Sequence, residues 1–199
     1  MSRRNSNKLS FKKLTPIYLF VEGEKTERFY FELLRDKLSI SGLRIYPTKG
    51  KTGSALLDKA KSKIKLGGLD ESAIKYLVFD KDKLDKQEFN YVFNKASKEG
   101  FKIGFSNLNI EVWLLAHFEE LQNRPTSLSD KVMLESKLTQ HLNQKYQKGD
   151  RKQLEKIILY YKLAIENAKV INKEDFHYQC TTVGGMIERI LNIQNKNSN

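Results

Sequence analysis

The sequence predicts a doubly wound α/β domain: a mostly parallel four-stranded sheet followed by a C-terminal helical extension. Three observations predict it. Short apolar runs rich in β-branched and aromatic residues alternate with stretches of helical periodicity between Pro16 and Phe118. The connections between them are short, as β-α-β units require. From about Ser129 onward the apolar spacing is helical only.

The elements follow in order. Pro16-Ile-Tyr-Leu-Phe-Val21 is apolar without alternation, the pattern of a strand buried on both faces, and Glu22-Gly23 ends it. Lys25 to Leu38 places Phe29, Phe31, Leu33, Leu34 and Leu38 at roughly helical spacing. Leu43 to Pro47 reads as the second strand, and Thr48 to Gly53 as a Gly/Lys loop. Ser54 to Ile64 is a helix with Leu56, Leu57, Ala60 and Ile64 on one face, stopped by Gly67-Gly68. Ala73 to Phe79 is the third strand and runs into Asp80-Lys81-Asp82. A helix from about Lys86 to Ser97 is capped by Gly100. Phe101 to Phe105 is the fourth strand, and Ile110 to Phe118 opens another helix. Beyond it, Val132 to Lys145, Gln153 to Ala168 and Thr182 to Ile193 read as helices. The implied organisation is a basic tail over 1–14, an α/β core over 15–125, a helical extension over 126–194 and a polar, frayed tail over 195–199.

Composition narrows the function classes. The chain has 199 residues, with 36 Lys and Arg against 24 Asp and Glu, a formal net charge of +12. That excess favours a polyanionic partner, because cations near phosphates release condensed counterions. The single cysteine, Cys180, excludes an intramolecular disulfide and fits a reducing compartment. No apolar stretch approaches a membrane span, and the basic N-terminus lacks the apolar region of a signal peptide. A cytoplasmic protein is therefore expected, while its oligomeric state, including a homo-oligomer, is left open.

Ligands of open α/β sheets bind beyond the carboxyl ends of the strands. Three strand ends here are polar: Glu22, the Asp80/Asp82 pair, and Ser106-Asn107 with Glu111 four residues on. Residues two apart in extended backbone share a face, so Asp80 and Asp82 can present oxygens to one cation. Hard oxygen ligands of this kind suit Mg²⁺ or Mn²⁺. A D-x-D pair is common in loops, and the acids at the other strand ends give it weight. Glu24 and Glu27 fall in the first helical turn, where acids favour the helix dipole. Lys25, Lys49, Lys51 and Lys81 are the basic residues beside these ends, expected to guide a nucleic-acid backbone. The Lys49-Gly-Lys-Thr-Gly-Ser54 loop lacks the G-x-x-x-x-G-K-[ST] frame, so it is not a Walker A loop. His117 among apolar neighbours reads as structural, with a base or ligand role as the alternative; Trp113 reads as core.

Three blocks carry a family resemblance: Phe20-Val-Glu-Gly-Glu-Lys-Thr-Glu27, Val78-Phe-Asp-Lys-Asp82 and Ser106-Asn-Leu-Asn-Ile-Glu-Val-Trp-Leu-Leu-Ala-His-Phe118. With Cys180-Thr-Thr-Val183 they resemble the RloB-like family, which includes abortive-infection proteins of the AbiLii type and resembles the Toprim superfamily. The match runs in order over roughly 16–190. The resemblance implies a Toprim-like core in which Glu22 serves metal or acid–base chemistry, Asp80 and Asp82 bind divalent metal, Glu111 assists as a further metal and catalytic carboxylate, and Asn107 supports the same site. The family usually has a proline and an aromatic between that Asn and Glu; Leu108-Asn109-Ile110 stands there in this chain. The implied activity is metal-dependent hydrolysis of phosphodiester bonds in DNA or RNA in a bacterial phage-defence system, with a separately encoded ATPase as partner. A non-catalytic module that binds nucleic acid or that ATPase is the alternative.

Overall fold

The computed structural model describes residues 14–81, 84–127 and 129–198. The element order is β1 (Ile17–Val21), α1 (Thr26–Lys37), β2 (Leu43–Pro47), α2 (Gly53–Leu66), β3 (Ile74–Asp80), α3 (Lys86–Lys98), β4 (Phe101–Asn107) and α4 (Ile110–Leu115). Then come α5 (Asp130–Leu142), α6 (Arg151–Ile157), α7 (Tyr161–Asn167), β5 (Cys180–Thr181) and α8 (Val183–Ser198). The sheet order is β2-β1-β3-β4-β5. The first four strands are parallel and β5 is antiparallel to β4, with Ser106 opposite Thr181 and Asn107 opposite Cys180.

The sheet thus has five strands where four were expected. A two-residue strand carries no periodicity, so Cys180-Thr181 could not be distinguished from the start of the following helix. The helix expected over Gln153–Ala168 is broken by a 3-10 turn at Ile158–Tyr160, which separates α6 from α7. The tail expected at 195–199 is helical as far as Ser198. The 1–14 tail lies, except for Leu14, outside the described residues, as does Asp82.

Burial explains why the central strands form. Every residue of β1 is buried, as its unbroken apolar run requires. One face of the sheet carries Phe79 and Phe105, which pack edge-on against Phe93 of α3. The other face receives α1, α4 and α8. Tyr30 of α1 meets Trp113 of α4 at 6.2 Å between ring centres. Gly104 lets α8 approach β4: a Cβ there would lie 2.9 Å from the Met186 sulfur. Helix ends are fixed locally. The Asp85 carboxylate caps α3 by accepting from the Glu88 N–H at 2.8 Å, and Glu88 in turn accepts from the Ser54 N–H at 2.7 Å, tying α3 to the start of α2. Gly100, at φ +74°, ends α3 as expected.

The topology fixes where a site can lie. From β1 the chain crosses through α1 to β2 on one side; from β3 it crosses through α3 to β4 on the other. The switch point is between β1 and β3, and the crevice there opens at their carboxyl ends.

Candidate functional site

Glu22 follows β1 and Asp80 ends β3, on adjacent parallel strands. The Glu22 N–H donates to the Val78 carbonyl at 3.0 Å, and the Asp80 N–H lies 3.5 Å from Glu22 Oε2. The switch-point crevice therefore brings together the two carboxylates that the strand ends predicted. Glu111, from the first turn of α4, is 1% exposed, and its charge is felt at Asp80 and Glu27. The backbone of Ile110, at the start of α4, lies close enough to the Asp80 carboxylate to offset part of the rise that burial imposes on it.

Glu27 is the residue that sequence reasoning missed. Its place in the first turn of α1 suggested an acid favoured by the helix dipole. Instead it is 8% exposed and turned back over Gly23, so that a Cβ at Gly23 would collide with its carboxylate. The available signal was Gly23 itself, four residues before Glu27, which leaves room for that fold-back. Burial pushes the Glu27 carboxyl up to about 7, and the charges of Glu111 and Glu22 add to the rise. Asp80 is raised well above the usual carboxylate range by burial and then by Glu27, Glu111 and Glu22. Four carboxylates share one end of the sheet.

An open cleft of about 460 Å³ gives access, lined by Glu22, Glu24, Lys25, Glu27, Lys49 and Asp80 among others. Lys25 and Lys49 thus reach the cleft. Lys51 does not line it; its carbonyl accepts from the Thr48 hydroxyl at 3.3 Å. Lys81 turns toward the C-terminal loop, with its ammonium 4.5 Å from the centre of the Phe176 ring and 3.5 Å from the Thr126 hydroxyl. A larger hollow, of about 580 Å³, lies at the opposite end of the sheet beside Lys75 and Phe101, where Lys61 and Glu99 are already paired at 2.8 Å.

Two expected supporting residues are part of the framework. The Asn107 side-chain nitrogen donates to the carbonyls of Asp175, Phe176 and Tyr178 at 3.0, 3.1 and 2.7 Å, which clamps the loop before β5 onto the end of β4. His117 is fully buried. Its Nδ1 lies 3.1 Å from the Trp113 carbonyl, which can only accept, so Nδ1 carries the proton and Nε2 accepts from the Tyr30 hydroxyl at 3.0 Å. Burial lowers its proton affinity to about 3, against the pull of the Trp113 and Leu114 carbonyls. Asn109, which sequence reasoning passed over, is 3% exposed, and its amide makes no hydrogen bond among the described residues.

The donor set suits a hard divalent cation: four carboxylates whose mutual repulsion a cation would relieve, and the orphaned amide of Asn109 in the same turn as Glu111. Among the described residues no group of three or more His, Cys, Asp or Glu side chains is arranged to hold a metal ion as it stands. Asp82, the expected second half of the D-x-D pair, is outside them.

Among the described residues no helix is long and apolar enough to cross a membrane. Comparison with curated proteins and with solved structures gave no match. The family model described as RloB-like protein matches residues 17–190, which takes in β1 through the first half of α8 and all four clustered carboxylates. The chain belongs to the RloB-like family.

Proposed function

We propose that this protein is a metal-dependent nuclease that hydrolyses phosphodiester bonds of DNA or RNA. Its setting is bacterial phage defence, a role with which membership of the family is compatible. The observation that carries the reading is the convergence of Glu22, Glu27, Asp80 and Glu111 at the β1/β3 switch point, beside an open cleft edged by Lys25 and Lys49. Buried like charges are costly, and such an arrangement is retained where a cation or a proton is handled.

Glu22 and Asp80, with Asp82 two residues on, would hold Mg²⁺ or Mn²⁺. When bound, the cation supplies charge neutralisation at the phosphate and a more acidic water. Glu27 holds a proton near neutral pH, the property needed of a group that gives or takes one during hydrolysis. Lys25 and Lys49 receive the phosphate backbone at the mouth of the cleft. The wider excess of positive charge steers a polyanion toward it. A separately encoded ATPase, implied by the resemblance described above, is the expected partner.

The test is cleavage of plasmid DNA, single-stranded DNA and tRNA with Mg²⁺, Mn²⁺ or EDTA, alone and with the ATPase. Metal-dependent cleavage that falls by at least about 100-fold in Asp80→Ala supports the reading, the usual scale for loss of a principal electrostatic group. Metal-independent binding without cleavage of any substrate would replace it with the non-catalytic module.

A further inference from the structure

The connection between α5 and α6, residues 143–150, lies against the carboxylate cluster and is held in place by its own contacts. Gln153, 4% exposed at the start of α6, accepts from the Gln147 N–H at 2.9 Å and donates to the Lys145 carbonyl at 2.8 Å. The Tyr146 N–H donates to the Thr139 hydroxyl at 3.0 Å. Gly149, at φ +75°, packs on Lys25, where a Cβ would come within 2.6 Å of the lysine Cβ. The loop is therefore seated on α5, on α6 and on the start of α1 together.

Two of its side chains reach one oxygen of the cluster. The Tyr146 hydroxyl donates to Glu111 Oε1 at 3.0 Å, and the Lys148 ammonium lies 3.4 Å from the same atom. Lys148 is also 3.3 Å from Glu135 Oε1 on α5. A lysine on a backbone fixed at this many points, set between two carboxylates, is a permanent single positive charge beside the site.

We infer that Lys148 is a built-in cation that occupies the Glu111 side of the cluster, so that the site takes one divalent ion, on Glu22 and Asp80, and not two. The inference rests on the metal-dependent reading above. Glu111 Oε1 is already engaged by an ammonium and a hydroxyl. A second divalent ion on Glu111 would share that one carboxylate with the ammonium, close enough for the two like charges to repel. Glu111 is thereby assigned to holding Lys148 and Tyr146, while Glu22 and Asp80 hold the ion.

Counting bound Mn²⁺ by the loss of its free electron paramagnetic resonance signal, without nucleic acid, tests this. Wild type is expected to bind one ion per chain, and Lys148→Arg one. Lys148→Ala is expected to bind two, and Asp80→Asn to bind its ion at least 10-fold more weakly. Lys148 is half exposed, so the alanine variant is expected to fold, which circular dichroism checks. Two ions in wild type, or one in Lys148→Ala, overturns the assignment of Lys148 and leaves the metal-dependent reading standing. No bound ion in wild type overturns both.

Discussion

The Glu27 carboxylate lies over the Cα of Gly23, in the space that a side chain on Gly23 would need. The glycine is thus a packing requirement of the site as well as a turn between β1 and α1. Gly23→Ala is expected to destabilise the protein by about 1–3 kcal/mol, the usual cost of forcing atoms into a filled interior. Glu27→Ala in the same chain frees that space and should recover much of the loss. Urea unfolding of the two single variants and the double variant measures the coupling; additive effects would show that the two residues do not compete for one volume.

Glu27 also sets a pH dependence. Its carboxyl rises on folding from the ordinary 4.5 to about 7, so the folded state binds the proton more tightly than the unfolded state. The stability this contributes is fully present below about pH 4.5 and is lost as pH rises through about 7. Asp80 acts in the same direction. Glu27→Gln should therefore gain on wild type between about pH 5 and pH 8, by on the order of 2–3 kcal/mol. Denaturant melts at the two pH values check the sign; an equal gap at both would contradict it.

His117 works the opposite way. Its folded proton affinity is lowered to about 3 from 6.5, so folding is disfavoured as pH falls below the ordinary histidine range. Its ring resonances should stay flat between about pH 8 and pH 5. His117→Ala is expected to cost about 2–4 kcal/mol, since it opens a cavity and leaves the Tyr30 hydroxyl without its acceptor. A titrating ring would show that the Tyr30–His117–Trp113 arrangement opens in solution.

Asn107 anchors the loop before β5 through a donor that three carbonyls share. Asn107→Ala is expected to lose about 2–3 kcal/mol. Asn107→Asp should lose more, because a carboxylate has nothing to donate to those oxygens and repels them. Hydrogen exchange over 175–181 should accelerate in both variants. Protection unchanged from wild type would mean that the loop is held by its other contacts.

The parallel core was legible because its central strands, β1 and β3, are largely buried on both faces. Ile17 to Val21 and Tyr76 to Phe79 have no reason to be so apolar except in the middle of a covered sheet. The Glu22–Asp80 pairing followed from strand ends and from the rule for open sheets. Glu27 was not legible as a member of the site, because a first-turn acid normally faces water and only the missing side chain at Gly23 allows it to fold back. Tyr146 and Lys148 were hidden for a different reason. They reach Glu111 from 35 and 37 residues away in the chain, in a loop whose position depends on tertiary packing. β5 was too short to show a period.

The antiparallel pairing of β5 with β4 has a consequence for the order in which the molecule comes into being. β4 emerges from the ribosome long before Cys180 and Thr181, and until they follow, the Asn107 amide has no loop to grip and α8 does not cover Gly104. The turn from β4 into α4, which carries Glu111, is then unsupported on one side. The carboxylate cluster is therefore the last part of the sheet to be braced, completed only when the C-terminal loop and strand close on β4.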